Sequence, residues 1–330
     1  MDSEYFNPLT EQDSPPIDRL QALVARVKDE IGKVIVGQEA AIDLLLATLF
    51  SGGHALVEGV PGIAKTLTAK LLAQTLDIHF SRIQFTPDLM PSDVLGMTVF
   101  NPKTTEFTFN PGPIFAQLTL IDEINRAPAK TQAALFEVME ELQVTMDGKT
   151  YPMESPFFVV ATQNPIEQEG TYKLPEAQLD RFLMKIVVAY PGLDEEKQIL
   201  RRFQGDFSLA LRRDVHRVMS SKDILQCRKM IEEIRIEEAL LDYIAQITHQ
   251  TRNHRDIYLG ASPRASLAIL KTSKAIAAMQ GRPFVTPEDI QLVAYPVLIH
   301  RLILQPEREM EGMETEDAIR NIIQSIEVPR

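Results

Sequence analysis

A single cysteine, Cys227, in 330 residues excludes any disulfide within the chain and suits a reducing cytoplasm. Its expected place is a partly buried helix position rather than a reactive thiol. Long apolar runs are also missing, since stretches such as Ala40 to Phe50 are interrupted or too short to span a bilayer. No membrane insertion is therefore expected. No run of lysines and arginines stands out, and a net charge of −12 argues against a broad electrostatic grip on nucleic acid or anionic lipid. The first residues, MDSEYFNPLTEQDSPP, lack a basic region followed by an apolar stretch, so no secretion signal is expected and a cytoplasmic location follows. The six histidines are scattered, and His249 and His254, five apart, do not share a helical face, so no zinc site is expected. An Asn-Lys-x-Asp segment that would read guanine is missing, which disfavours a GTPase.

The residues present are ordinary for a globular protein with a sizeable core: 45% hydrophobic and 24% charged, at a length that suggests two domains. Residues 1–16 read as a mobile polar arm ending at Pro15-Pro16. A helix comes next, with Leu20, Leu23, Val24 and Val27 at helical spacing, and a second helix runs to Gly52-Gly53. Strand-like runs at 54–59, 79–86, 118–122, 157–162 and 184–190 alternate with helical segments. One of these is 65–76, with Leu67, Leu71 and Leu72 facing inward. Such alternation requires crossover connections, so the expected class is α/β, with a five-stranded parallel sheet covered on both faces.

Two segments interrupt this order. Residues 98–109 alternate apolar and polar side chains around a Pro-containing turn, and 143–153 place Asp147-Gly148 between two short runs; both read as inserted hairpins that project from the sheet. From Pro191 strand signals vanish, and helices are expected at 194–204, 221–234, 236–250, 262–280, 286–304 and 314–326. The expected domains are thus 17–192, carrying both hairpins, and a helical 193–330.

The chemistry lies in three places. Gly59-Val60-Pro61-Gly62-Ile63-Ala64-Lys65-Thr66 follows a strand and opens a helix, the context of a phosphate-binding loop. Backbone amides and the helix dipole favour a bound anion there. Lys65 would hold the β- and γ-phosphates, and the Thr66 hydroxyl would ligate magnesium. Ala64 stands where the usual signature has glycine, and an alanine fits if its φ is helical. The nucleotide contacts are expected to extend to Leu67. The second place is LTLIDE, 118–123, a buried strand ending in two acids beside the loop; Asp122 would hold the metal and Glu123 would polarise the attacking water. The third is the strand end ATQNP, where Asn164 can orient the water or touch the γ-phosphate, or can serve only as a turn residue before Pro165. Arg264, in the first turn of a later helix, is electrostatically misplaced, so an anion such as phosphate is a candidate partner.

This order of motifs resembles the AAA+ ATPases. Within them EGVPGIAKT, LIDEINRAPAKTQAALFEVMEE, the Asp-Gly hairpin and LPEAQLDRF resemble the MoxR family, over nearly the whole chain from about residue 20. The resemblance implies an αβα core, a helical lid, and a ring, a hexamer in such relatives, with nucleotide between subunits. It implies ATP and Mg2+ as cofactors, and Arg181 as the arginine finger given to a neighbour's γ-phosphate, with Arg126 as second choice. It further implies Arg264 as the lid's sensor arginine, Asn164 as first sensor, and Val36, Gly37 and Gln38 on the adenine side. The inserted hairpins match ones that touch substrate or partner in related rings, so Met97, Val99, Phe100, Phe107 and Phe109 either contact a client or pack within their hairpin. The implied function is ATP-driven remodelling or maturation of a protein or metalloenzyme complex, alongside a von Willebrand factor A domain partner. A nucleic-acid motor of the helicase-loader kind and a nucleotide-gated binding module are the alternatives.

Overall fold

Strands with no polar face require cover on both sides, and this requirement organises the chain. The computed structural model describes residues 16–60, 62–103, 105–164, 172, 174–205 and 215–329. The expected arm at 1–16 lies outside the described residues apart from Pro16, which begins the first helix. The core runs α1 (Pro16–Gly32), α2 (Glu39–Phe50), β1 (Ala55–Gly59), α3 (Lys65–Thr75), β2 (Phe80–Gln84), α4 (Pro91–Leu95), β3 (Gly96–Asn101) and β4 (Glu106–Pro111). It continues through β5 (Leu118–Asp122), α5 (Ala129–Glu141), β6 (Gln143–Met146), β7 (Lys149–Pro152), β8 (Phe158–Gln163), α6 (Glu176–Leu179) and β9 (Met184–Val188).

Five strands form one parallel sheet in the order β2-β5-β8-β1-β9. Every residue of β5 is buried, as the apolar run LTLID requires of a strand covered on both faces. Alternate residues feed opposite faces. Ala55, Val57, Leu118, Leu120, Phe158 and Val160 pack toward one core, shared with α1, α2 and α3. Leu56, Ile121, Val159 and Ala161 pack into another, with Val94 of α4 and Leu135, Phe136 and Met139 of α5. The chain moves from β1 to the far edge strand β2 and returns, so β1 and β8 flank the point where strand order reverses. Open sheets of this kind bind ligands there.

The two hairpins, β3–β4 and β6–β7, stay out of the sheet as separate ribbons. They meet through Phe109 and Tyr151, whose rings stack at 4.2 Å. Beyond β9 the chain is nearly all helix: Leu193–Phe203, Ser221–Glu232, Glu238–Asn253, Pro263–Met279, Pro287–Leu298, Pro306–Met310 and Thr315–Ser325. The helix expected to reach residue 304 stops at Leu298, because Ile303–Leu304 instead pairs antiparallel with Ile257–Leu259 and stitches this region together. Its apolar faces, with Ile224, Ile247, Ile276 and Ile290, continue the core of α1–α3, so the lid is docked on that side of the sheet. Cys227 is buried within helix Ser221–Glu232, where desolvation pushes its thiol up to about 12 and removes any thiolate reactivity near neutral pH. Among the described residues no helix is long and apolar enough to cross a membrane.

His54 fastens the start of β1. Its Nδ1 accepts the Val159 N–H at 3.0 Å, which leaves Nε2 to donate to the Met139 carbonyl at 3.2 Å. Desolvation, with a contribution from Arg228, pushes its pKa down to about 4, so the folded ring is neutral. The unfolded chain takes up this proton first, near pH 6.5. His54 therefore lends stability in full above about pH 6.5 that is lost as pH falls toward 4, about 3 kcal/mol at most. His300, whose pKa burial also pushes down, adds a slope of the same sign. Urea unfolding of the wild type between pH 7 and 4.5 should show this loss. A His54→Gln variant should show a shallower slope, and parallel slopes would contradict the neutral ring.

Candidate active site

β1 ends at Gly59, and the chain turns over a few residues into α3. Packing demands glycine at 59, because a Cβ there would lie 2.4 Å from Ile63 Cδ1 and 2.8 Å from the Val188 carbonyl oxygen. Ala64 does not meet the condition of a helical φ under which alanine fits without strain: at φ 62 and ψ 21 it is left-handed. With Gly62 at φ 89, this lets the backbone reverse between strand and helix, and left-handed residues of this kind are a feature of backbone turns that suit anions. An L-residue held there costs about 1 kcal/mol, which the rest of the turn must offset. Part of that offset is Gln38, whose amide donates to the Ile63 carbonyl at 2.8 Å and accepts weakly from Thr68 Oγ1 at 3.5 Å. Gln38 thus braces the loop, and Val36 and Gly37 are half-buried beside it. The Lys65 ammonium folds back to donate to the Gly59 carbonyl. Val60, Ala64 and Leu67 pack on the core beneath the turn, while Pro61 lies outside the described residues.

The acids stand across the same edge. Register pairs Ile121 with Ala161 and Glu58 with Gln163, which carries Asp122, Asn164 and Gly59 to neighbouring strand ends. Asp122 is buried, with 6% of its surface exposed, and is surrounded by donors. The Thr66 hydroxyl lies 3.3 and 3.4 Å from its two oxygens, the Thr162 hydroxyl donates at 3.2 Å, and Arg82 Nε donates at 2.6 Å. Thr162 also accepts the Glu123 N–H at 3.1 Å and so couples the two acids. Glu123 sits at φ 58 and ends the strand, and the following turn is held by Gln132, which donates to the carbonyls of Ile124 and Ala127. Its carboxylate accepts from Gln84 at 2.8 Å and pairs with Arg126 at 3.4 Å. Arg126 therefore engages the acid of its own chain. Asn164 is buried at this edge, 8% exposed.

The oxygen donors of Thr66 and Asp122 suit a hard divalent cation such as Mg2+. Arg82 pressed against the same carboxylate marks the position as one that takes positive charge.

Arg181 and Arg264 are elsewhere. Arg181 precedes β9, whose first residue pairs with the first residue of β1, so it lies at the opposite edge of the sheet from the loop. Strands of five residues separate the edges by roughly 15 Å. There Glu140, near the end of α5, receives both guanidinium groups, Arg181 at 2.9 Å and Arg264 at 2.9 Å. Arg181 also donates to the Phe136 carbonyl at 2.6 Å. The anion opposite Arg264 within its own chain is thus a carboxylate. Two cations sharing one anion leave net positive charge in a cavity of about 290 Å³ that Lys271 also lines.

Sequence reading missed Arg82, Gln84, Thr162 and Glu140. Arg82 and Gln84 alternate on β2, a pattern that also describes an ordinary solvent-facing edge. Thr162 is polar at the end of an apolar run, the one local signal available.

The left-handed Ala64 makes a testable distinction. Ala64→Gly removes a penalty of about 1 kcal/mol and adds a comparable unfolded-chain entropy, so urea unfolding should shift by less than about 1 kcal/mol. Ala64→Val places a β-branched side chain at positive φ and should destabilise by about 2 kcal/mol. Equal stability of the valine variant and the wild type would contradict this backbone.

Comparison with known proteins agrees with this geometry. Residues 54–184 match the family described as "ATPase family associated with various cellular activities (AAA)", and residues 249–322 match an AAA lid domain. The chain is 43% identical to the uncharacterized protein YeaC of Bacillus subtilis, over 94% of this chain and 96% of that one. It is 42% identical to Chaperone MoxR1 of Mycobacterium tuberculosis, over 91% of this chain and 81% of the relative. A crystal structure of a Cytophaga hutchinsonii protein assigned as an ATPase superposes with a TM-score of 0.87 at 42% identity, covering 96% of this chain and 97% of the other. With a phosphate-binding loop, two acids on the adjoining strand end and relatives of this similarity along nearly its full length, the chain belongs to the MoxR family of AAA+ ATPases.

Proposed function

We propose that the chain binds ATP with Mg2+ at the Gly59–Thr66 turn, hydrolyses it in a ring of identical subunits, and uses the cycle to remodel a protein client. One observation carries this reading. The loop, the Thr66 hydroxyl and two acids converge at one sheet edge, while two arginines sharing one carboxylate stand at the opposite edge.

Amides of the turn and the N-terminus of α3 would cradle the phosphates, with Lys65 leaving the Gly59 carbonyl to neutralise them. Thr66 and Asp122 would hold Mg2+, which when bound supplies charge stabilisation at the phosphates. Glu123 accepts the proton of the attacking water, and Asn164 orients that water. Gln84 and Arg126 hold the Glu123 carboxylate within its own chain, so the base must exchange these partners to act. Arg181 and Arg264 lie too far from their own loop to help in cis. In a ring that joins the two edges of successive subunits they would meet a neighbour's triphosphate, which replaces Glu140 as their shared anion.

Met97, Val99, Phe100 and Phe107 expose large apolar surface on the first hairpin, which supports a client contact there. Phe109 is excluded from that surface by its stack on Tyr151. The name of the chaperone relative supports the remodelling role, the family resemblance adds six subunits and a von Willebrand factor A domain partner to the reading, and the single cysteine supports a cytoplasmic location.

Glu123→Gln should retain ATP binding, followed with a fluorescent ATP analogue, and lose turnover by about 10²-fold. Undiminished turnover would reject the mechanism. Arg181→Ala should also lose turnover by about 10³-fold while binding ATP. Mixing the two inactive variants should restore hydrolysis, because the Glu123→Gln subunit offers an intact arginine to its neighbour; a mixture that stays inactive counts against action in trans.

A further inference from the structure

Arg301 carries more hydrogen bonds than any folding role as a surface arginine would explain. It follows helix Pro287–Leu298 in the lid, and only 3% of its side chain is exposed. Nε donates to Asp180 Oδ1 at 2.6 Å. Nη1 donates to the carbonyls of Leu183, at 3.2 Å, and Val297. Nη2 donates to the carbonyls of Asp180, at 3.2 Å, and Phe182, at 2.7 Å. All five N–H groups of the guanidinium are therefore used, four of them on the single stretch 180–183 that contains Arg181. The neighbouring His300, neutral through burial, adds a bond from Nε2 to the Phe182 carbonyl at 3.0 Å.

The second oxygen of Asp180 accepts from the Ser262 hydroxyl at 3.1 Å. Ser262 is the N-cap of helix Pro263–Met279, and the same hydroxyl accepts the Arg264 N–H at 3.2 Å. One carboxylate thus joins the residue beside Arg181 to the cap beside Arg264. Beyond it the two arginines themselves meet on Glu140. A buried ion pair of this kind is weak evidence of stability, since apolar groups of equal volume often do as well. Unlike such groups, it supplies a fixed orientation of backbone carbonyls and of the two cation-bearing segments.

We propose that Arg301 and Asp180 are positioning residues for hydrolysis: they lock the Arg181 segment to the Arg264 helix start so that both guanidinium groups are presented to the neighbouring subunit as one preorganised unit. The proposal rests on the reading of Arg181 and Arg264 as trans-acting. It assigns the lid a part in catalysis at the site of the next subunit, through Arg301, distinct from any contact of the lid with its own nucleotide.

The test uses the full chain carrying Asp180→Asn, with Arg301→Lys as a second variant that keeps the charge but loses the planar fork; thermal melting identifies folded protein for each. Affinity for a fluorescent ATP analogue and KM for ATP should stay within about twofold of wild type. kcat should fall about 10-fold or more, because misplacement by an ångström of a group acting on the transition state has costs of this order. Mixing either variant with Glu123→Gln should restore turnover, since the partner supplies arginines that are held correctly. An unchanged kcat in either folded variant overturns the proposal. So does loss of kcat that Glu123→Gln does not rescue while it does rescue Arg181→Ala, for then the network only supports its own chain. If Arg181→Ala is itself not rescued, the trans reading fails first and the positioning role falls with it.

Discussion

Strands of a parallel sheet all end at the same edge, and the register of β5, β8 and β1 turns that into a row of reactive groups. Ile121 beside Ala161 and Glu58 beside Gln163 set the ends of three strands level. The residues at and just past these ends, Asp122-Glu123, Asn164 and the turn after Gly59, then lie within side-chain reach of one another. A slip of one residue would send the acids to the opposite face of the sheet. The burial of every β5 residue opposes it, because a shifted register would exchange the side chains fitted to the two cores. The chemistry of the edge therefore depends on the burial of residues that take no part in it.

The same parallel order separates the two arginines on Glu140 from the acids and the loop. Arg181 enters β9 at the start of a strand, and Arg264 starts a lid helix docked beside it, so both guanidinium groups lie at the edge remote from the phosphate-binding turn. Folding alone cannot bring them to Lys65 without unmaking the β1–β9 pairing. Under the proposed role of these arginines, each edge would hold half of a site, and identical copies joined edge to edge would complete it. This is the physical content of the ring reading. It also accounts for Glu140, which neutralises part of two neighbouring cations within their own chain.

Features written in consecutive residues are legible in the sequence alone. The turn EGVPGIAKT, the acids closing LTLIDE and the Asp-Gly hairpin each depend on local backbone preference and short-range pattern. The parallel sheet is legible too, because buried strands are apolar throughout and alternate with helical segments. Features that depend on distant pairing are not. Arg82 meets Asp122 across 40 residues, and Arg301 meets Asp180 across 121, with nothing local to mark either contact. The left-handed φ of Ala64 is illegible for another reason: alanine favours helical φ, and tertiary contacts around Gly59 and Gln38 override that preference. Lid helix 286–304 ends early because Ile303 and Leu304 suit either helix or strand, and only their partner at Ile257–Leu259 decides.

Exposure separates the charge clusters into those that can exchange partners and those that cannot. Arg82 leaves half of its side chain in water while it pairs with Asp122, so it can move away with little change in its own hydration. Glu123 is similarly held by partly exposed Gln84 and Arg126. These contacts suit a site whose occupants change in each cycle. Arg301 is the reverse: enclosed, with every donor satisfied, it could leave Asp180 only by stranding a buried cation and a set of buried carbonyls, a loss of several kcal/mol. The edge that carries Thr66 and the two acids is thus held by partly exposed partners, whereas the edge that carries Arg181 and Arg264 is built around a guanidinium whose donors the protein itself satisfies. In the proposed ring, such a division would let one subunit's rigid surface read the changing state of the next.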